Sequence, residues 1–200
     1  MIGPASFDEE LFVVLRPGRL VAESTEKLRQ ALNEGYHLYK KGEEPPLHVT
    51  IDRIHREDRL EAAEIAVKSL QATTTDINLL LEEFTCLEQY DNRFLVLKVK
   101  PTESLLEFSR DLHRRLKNAG ISTLTDYHDW QYHITLINNQ FVDKPLIEEE
   151  FERLCRRLDE KWNRIISRVS RLEIWRPVRE EEKRTYFSID LNERRNNENG

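Results

Sequence analysis

"QYHITLINN", residues 131–139, sets the reading of the whole chain. Side chains of a strand alternate between its two faces, so His133 and Thr135 share one face while Tyr132, Ile134 and Leu136 share the other. The apolar face asks for burial. The imidazole and hydroxyl opposite it ask for water or a ligand. "PPLHVTIDRI", residues 45–54, repeats the arrangement, with His48 and Thr50 set between Leu47, Val49 and Ile51. The two His-x-Thr triplets lie 85 residues apart.

Outward from these strands the chain reads as two similar halves. "LFVVL" (11–15) predicts a short buried strand, and Ser24 or Thr25 is placed to cap a helix bearing Leu28, Ala31, Leu32 and Tyr36. Asp58 and Glu61 have capping-box spacing ahead of a helix with Ala63, Ala66, Val67 and Leu70 on one face. "INLLLEEFTCLEQ" and "RFLVLKVK" flank "YDN" as a strand–turn–strand unit. In the second half Thr102 caps a helix striped by Leu105, Phe108, Leu112 and Leu116, and Gly120 stops it. Pro145 opens a helix with Ile147, Phe151, Leu154, Leu158 and Trp162, followed by strands "RVSRLEIW" and "RTYFSIDL".

Each half therefore reads strand, helix, His/Thr strand, helix, strand. The fold class expected is α+β: a duplicated bilobal fold with two antiparallel-rich sheets, flanked by helices, around a central cleft that carries both His-x-Thr strands. A single mixed sheet with helices on one side is the alternative. No clean linker divides the chain, so residues 1–191 are read as one domain, with pseudo-repeats over roughly 10–90 and 91–191 and a flexible tail at 192–200.

Composition bounds the function. The 200 residues are 38% apolar, enough for a core, and 34% charged, with a formal net charge of −6. That acidity argues against a clamp on long nucleic acid. It leaves room for a nucleotide or short RNA in a locally basic groove. Residues 153–184 carry eleven Lys/Arg against six Asp/Glu, a run that reads first as a solvated helix face. No apolar run reaches the ~18 residues of a membrane span, and the start lacks a signal-peptide core. Two cysteines, Cys86 and Cys155, without zinc-like spacing, suit a reduced, cytoplasmic protein with no structural disulfide.

The chemistry follows from the paired strands. Residues i and i+2 of a strand sit roughly 6.5–7 Å apart on one face, so an imidazole and a hydroxyl can reach different atoms of one phosphate. Imidazole titrates near neutrality, which lets one histidine be neutral while the other is protonated. The neutral one takes a proton from water or a ribose hydroxyl, and the protonated one gives a proton to the leaving oxygen. The threonine hydroxyls hydrogen-bond the non-bridging oxygens. No metal or cofactor is needed in that scheme.

"LHVTI" and "YHITL", so spaced in a chain of this size, resemble the paired H-x-[ST] signatures of the 2H phosphoesterase superfamily, the family of bacterial 2′-5′ RNA ligases and cyclic phosphodiesterases. The resemblance runs over roughly residues 10–191 in motif spacing and element order. It implies a bilobal α+β fold with both motifs lining a central cleft, His48 and His133 as general acid and base, and Thr50 and Thr135 as phosphate binders. It implies metal-free action on 2′,3′-cyclic phosphates, related cyclic nucleotides or 2′-5′ phosphodiester links. Leu47 and Tyr132 stand where members often carry proline before the motif histidine.

Other residues are weighed against blander roles. Asp52 shares the His48/Thr50 face by parity and reads as a solvated rim residue. Tyr90, beside the "YDN" turn, is a candidate for base stacking, as are Trp130 and Phe141. Tyr132 points away from His133 and reads as core. His128 is a candidate accessory group in a loop. The partner expected is a small RNA or nucleotide, with no membrane, no metal, and a monomeric chain. The competing expectation is a binding module that holds a nucleotide or RNA end in the same cleft without turnover.

Overall fold

The structure, a computed structural model, describes residues 5–40, 44–55, 60–71, 76–89, 91–139, 141–158, 164–178 and 180–191, with backbone alone at 69–71. The predicted Asp58 cap, Leu70 side chain, Tyr90, Trp162 and the 192–200 tail lie outside that description.

Seven strands and five helices are described: β1 (Glu10–Pro17), α1 (Arg19–Tyr36), β2 (Val49–His55), α2 (Leu60–Gln71), β3 (Asn78–Gln89), β4 (Asn92–Pro101), α3 (Glu103–Asn118), β5 (His133–Asn138), α4 (Glu148–Leu158), β6 (Ile165–Trp175), α5 (Glu181–Arg184) and β7 (Thr185–Asp190). A 3-10 turn at Tyr127–Asp129 precedes β5. The strands form a single sheet in the order β1-β2-β5-β4-β3-β6-β7, every pairing antiparallel, with β1 also bonded to β6. The expected two sheets are therefore joined as one. The cause is β6, whose first residues pair with β3 through Ile165–Arg168 and whose remainder pairs with β1 through Trp175. At the other junction β2 and β5 meet through one register pair, Val49↔Ile134.

One face of the sheet packs on helices. Val13, Leu15, Ile51, Leu81, Leu97 and Leu172 on strands, and Val21, Val67, Leu105, Leu112 and Leu116 on helices, are all less than 2% exposed and belong to one cluster. The α3 stripe falls as its spacing predicts, and Thr102 caps it by accepting the Leu105 N–H at 3.2 Å. Helix α4 buries Phe151 and Leu154 but leaves Ile147, just ahead of its first turn, exposed.

Two expectations are corrected. Helix α1 starts at Arg19 behind Gly18, so Ser24 and Thr25 sit inside it. Their hydroxyls bond back to the Leu20 and Val21 carbonyls, at 2.7 and 2.9 Å, which satisfies them within the helix. Cys86 on β3 and Cys155 on α4 form a disulfide, with Cα atoms 6.0 Å apart, because α4 packs across the strand that carries Cys86. Among the described residues no helix is long and apolar enough to cross a membrane.

Candidate active site

The face of the sheet turned away from α1–α4 lines a cleft of about 560 Å³, and His48, Thr50, His133 and Thr135 all stand on its wall. The antiparallel meeting of β2 and β5 at Val49 and Ile134, the middle residues of the two triplets, brings the motifs side by side. Both middle residues are fully buried on the helix side, as alternation requires.

The motifs share more than their triplets. The His48 Nδ1–H donates to the Pro46 carbonyl at 2.9 Å, and the His133 Nδ1–H donates to the Gln131 carbonyl at 2.9 Å. A carbonyl only accepts, so Nδ1 carries the proton in each ring and Nε2 is left for exchange with a substrate. Each strand is also bulged just after its threonine. Along β1, Val13 pairs with Asp52 and Val14 with Thr50, which makes Ile51 the extra residue. Along β4, Leu95 pairs with Ile137 and Val96 with Thr135, which makes Leu136 the extra one. A bulge reverses side-chain parity beyond it. The cleft face therefore continues as Arg53 on β2 and Asn138 on β5, each three residues past its threonine.

Parity had assigned Asp52 to the cleft face; the bulge turns it inward instead. It is 0% exposed and fully engaged, with Oδ1 accepting from Ser122 Oγ at 2.8 Å and the Arg53 N–H at 2.7 Å, and Oδ2 accepting from His113 Nδ1 at 2.8 Å. The His113 ring stacks on Tyr127 at 4.2 Å. Asp52 is thus not a solvated rim group. It is a buried carboxylate that pins the back of β2 to α3 and the segment after it.

The surroundings of the two imidazoles differ. The His48 ring lies 4.6 Å from the Trp175 ring. Burial pushes its pKa down to about 4, helped by the nearby charges of His133, Arg16 and Arg184 and opposed by the Pro46 carbonyl bond. Burial also lowers His133, partly offset by its bond to the Gln131 carbonyl. Arg53 is ion-paired to Glu10 at 3.2 Å and lies 5.8 Å from the Trp130 ring, while Trp130 Nε1 donates to the Thr50 carbonyl at 2.9 Å. On the β5 side Asn138 accepts from Asn92 Nδ2 at 2.7 Å.

Trp130 and Phe141 line the cleft, as stacking candidates should, and Phe7 packs between Phe12 and Phe141 at its apolar end. Tyr132 is buried with its hydroxyl bonded to that of Tyr127. His128 is exposed on the 3-10 turn and off the described cleft wall, so the fold does not bring it to the motifs. Tyr90 lies outside the described residues. Trp175, Arg184 and Arg53 went unread in the sequence. Trp175, at the end of β6, and Arg184, at the end of α5, reach His48 only through tertiary pairing, and Arg53 depends on a bulge without a local signal.

Comparison with solved structures gives the same fold at low identity. TT0787 of Thermus thermophilus aligns with a TM-score of 0.56 at 10% identity, over 91% of this chain and 97% of that one. E. coli LigT complexed with 3′-AMP aligns at 0.52 and 12%, over 92% and 98%. The MHV ns2 PDE domain aligns at 0.50 and 19%, over 68% and 85%. Comparison with curated protein sequences finds no match. The model of the 2′-5′ RNA ligase superfamily matches residues 17–181, and with its fold shared by LigT the chain belongs to that superfamily of 2H phosphoesterases.

Proposed function

We propose that the protein is a phosphoesterase acting on RNA or nucleotide 2′,3′-cyclic phosphates or 2′-5′ phosphodiester links, with His48 as general base and His133 as general acid. The observation that carries this reading is the convergence of two His-x-Thr strands on one cleft, with both imidazoles held by Nδ1 and both Nε2 atoms left for proton transfer. Superfamily membership supports the reaction class, and LigT, which shares the fold, has been crystallised with 3′-AMP and with ATP.

On a cyclic phosphate the steps balance without any further reagent. His48 Nε2 removes a proton from water as its oxygen bonds to phosphorus. One ribose–oxygen bond to phosphorus breaks, and His133 Nε2 protonates the departing oxygen, leaving a phosphomonoester. A ribose 5′-hydroxyl attacking in place of water gives a 2′-5′ link as the 3′ oxygen departs protonated, and the reverse, attack by the 3′-hydroxyl, cleaves that link and restores the cyclic phosphate. Thr50 and Thr135 donate to the non-bridging oxygens. The roles follow from setting: burial above all, with His133, Arg16 and Arg184 adding to it, keeps His48 neutral, whereas a bound phosphate beside His133 raises its pKa against the lowering by burial. A monomer working without metal or cofactor completes the reading. Composition places it in the cytoplasm, and the Cys86–Cys155 bridge weighs against that placement.

The test is mass spectrometry of products from an RNA ending in a 2′,3′-cyclic phosphate, incubated with protein and excess EDTA. Ring opening that survives the chelator and is lost in His48→Ala and His133→Ala supports the mechanism and identifies the isomer. Activity unchanged in both variants sinks it. Tight binding without product on cyclic and 2′-5′ substrates alike would instead make the cleft a nucleotide or RNA-end binding module.

A further inference from the structure

Part of the cleft wall comes from side chains that belong to none of the described strands. Ala5 and Phe7 precede β1, Tyr39 follows α1, and Phe141 lies past the end of β5. Phe7 connects them. Its ring lies 6.1 Å from Phe12 of β1, edge to face, and 5.2 Å from Phe141, both within aromatic contact. Phe12 pairs with Arg53 of β2, and Phe141 follows the strand of His133. One side chain thus spans from the His48 wall to the His133 wall. The backbone ties the same segments on either side of Tyr39. The Asp143 N–H donates to the Leu38 carbonyl at 2.7 Å, and the Lys40 N–H donates to Asp143 Oδ2 at 3.2 Å.

The root of this strap is fixed as well. The Glu9 and Glu10 N–H groups donate to the Ser6 carbonyl at 3.2 and 2.9 Å, closing the turn that carries Phe7. The Glu10 carboxylate returns the bond, its Oε2 accepting from the Ser6 N–H at 2.8 Å and from Arg53 at 3.2 Å. Glu10 and Arg53 are 8% and 6% exposed, so water screens the pair little. One oxygen therefore ties the turn to a residue of the cleft wall. The packing at its tip serves the cleft rather than the core. Phe7, Phe12 and Phe141 stand apart from the apolar cluster between sheet and helices, and Phe7 is half-buried beside exposed Asp8 and Glu9. Ring on ring, the three fill space that a strand running from wall to wall would have to cross. What is left, about 560 Å³, is the size that encloses one small ligand such as a nucleotide.

We propose that Phe7 is a specificity-determining end wall: held between Phe12 and Phe141, it makes the cleft blind on that side and confines it to nucleotides and the termini of RNA. The proposal rests on the functional reading above and narrows it. A 2′-5′ link inside a long strand has chain on both sides and is excluded. The same link in a dinucleotide, or a cyclic phosphate at a chain end, is admitted.

Two measurements test it, each with Phe7→Ala alongside. The first compares kcat/KM for a 2′-5′ linked dinucleotide and for a linear dodecamer with one such link at its centre. The dinucleotide should lead by about a hundredfold in the unmodified protein and by about tenfold or less in Phe7→Ala, since a wall discriminates by rejecting what does not fit. Equal or faster turnover of the dodecamer, or a ratio that Phe7→Ala leaves unchanged, overturns the wall and leaves the phosphoesterase standing. The second measurement needs no turnover. Isothermal titration compares a linear oligoadenylate dodecamer ending in a 3′-phosphate with a circular dodecamer, which has no end to insert. The linear form should bind at least about tenfold tighter, and Phe7→Ala should narrow the gap. Equal affinity for the two forms, or binding of neither, overturns the wall. A preference for the linear form without turnover of any substrate keeps the wall and removes the phosphoesterase. If the alanine variant does not fold, Phe7→Leu, and Phe141→Ala on the opposite wall, carry both tests.

Discussion

Strands β2 and β5 carry the same triplet, the same backbone bond to the imidazole and the same bulge after the threonine, yet they are braced differently. Behind β2 stands Asp52, polar and enclosed by His113 and Ser122; its counterpart behind β5 is Ile137, apolar and 1% exposed. Facing the cleft, β2 offers Arg53 beside Trp130, and β5 offers Asn138 bonded to Asn92. His48 has Trp175 and two arginines about it, whereas among the described residues His133 is shifted by burial and its bond to the Gln131 carbonyl. The backbone device is common to both strands, and the charge setting is not. On the proposed reading, that difference is what lets one motif, used twice, supply both a base and an acid.

The sharpest way to break the comparison is to make one histidine dispensable. On a ribose leaving group, His48→Gln and His133→Gln should each lower kcat by about 10²–10⁴. On an activated aryl phosphodiester, whose leaving group needs no proton, His133→Gln should recover most of its rate and His48→Gln should not. The reverse pattern in steady-state assays would exchange the roles.

Next in size is the brace behind each strand. Asp52→Ala strips His113 and Ser122 of their buried partner and should cost about 3 kcal/mol in urea unfolding. Ile137→Val, which trims one buried methyl, should cost about 1 kcal/mol. Equal losses would mean that the two strands are braced alike.

Acid sharpens the comparison further. Unfolded, His48 binds a proton near pH 6.5; folded, it resists protonation down to about pH 4. The unfolded chain then holds more protons in that window, so stability falls as pH drops through it. Thermal melts from pH 7 to pH 4 should show a weaker decline in His48→Ala. Parallel curves would mean that the imidazole is not held neutral by the fold. The smallest effect belongs to Trp130→Phe, which keeps an aromatic ring at the cleft but removes the Nε1 bond to the Thr50 carbonyl, and should cost about 1 kcal/mol in the same melts.

These contrasts also mark what could be read before folding. Strand alternation is local, so the placement of His48, Thr50, His133 and Thr135 on a common kind of face followed from the triplets themselves. The α3 stripe and its Thr102 cap followed equally well from helical spacing. Asp52 and Arg53 exchanged faces because the bulge at Ile51 arises from pairing with β1, and nothing between residues 48 and 55 announces it. Ser24 and Thr25 have the chemistry of caps, but a hydroxyl inside a helix can bond the carbonyl four residues back, and both do. Trp175 and Arg184 are brought to His48 by tertiary pairing. The joining of the strands into one sheet likewise depends on where a single long strand changes partners.

The Cys86–Cys155 bridge reaches beyond the folded molecule. Its ends are 69 residues apart, and the loop it closes contains β4, α3 and β5. In chain-entropy terms a cross-link of that span removes freedom from the unfolded polypeptide worth about 4 kcal/mol. His133 lies on that closed loop and His48 outside it. Two imidazoles held by the same backbone bond in the folded protein are, in the unfolded one, on a tethered ring and on an open strand of chain.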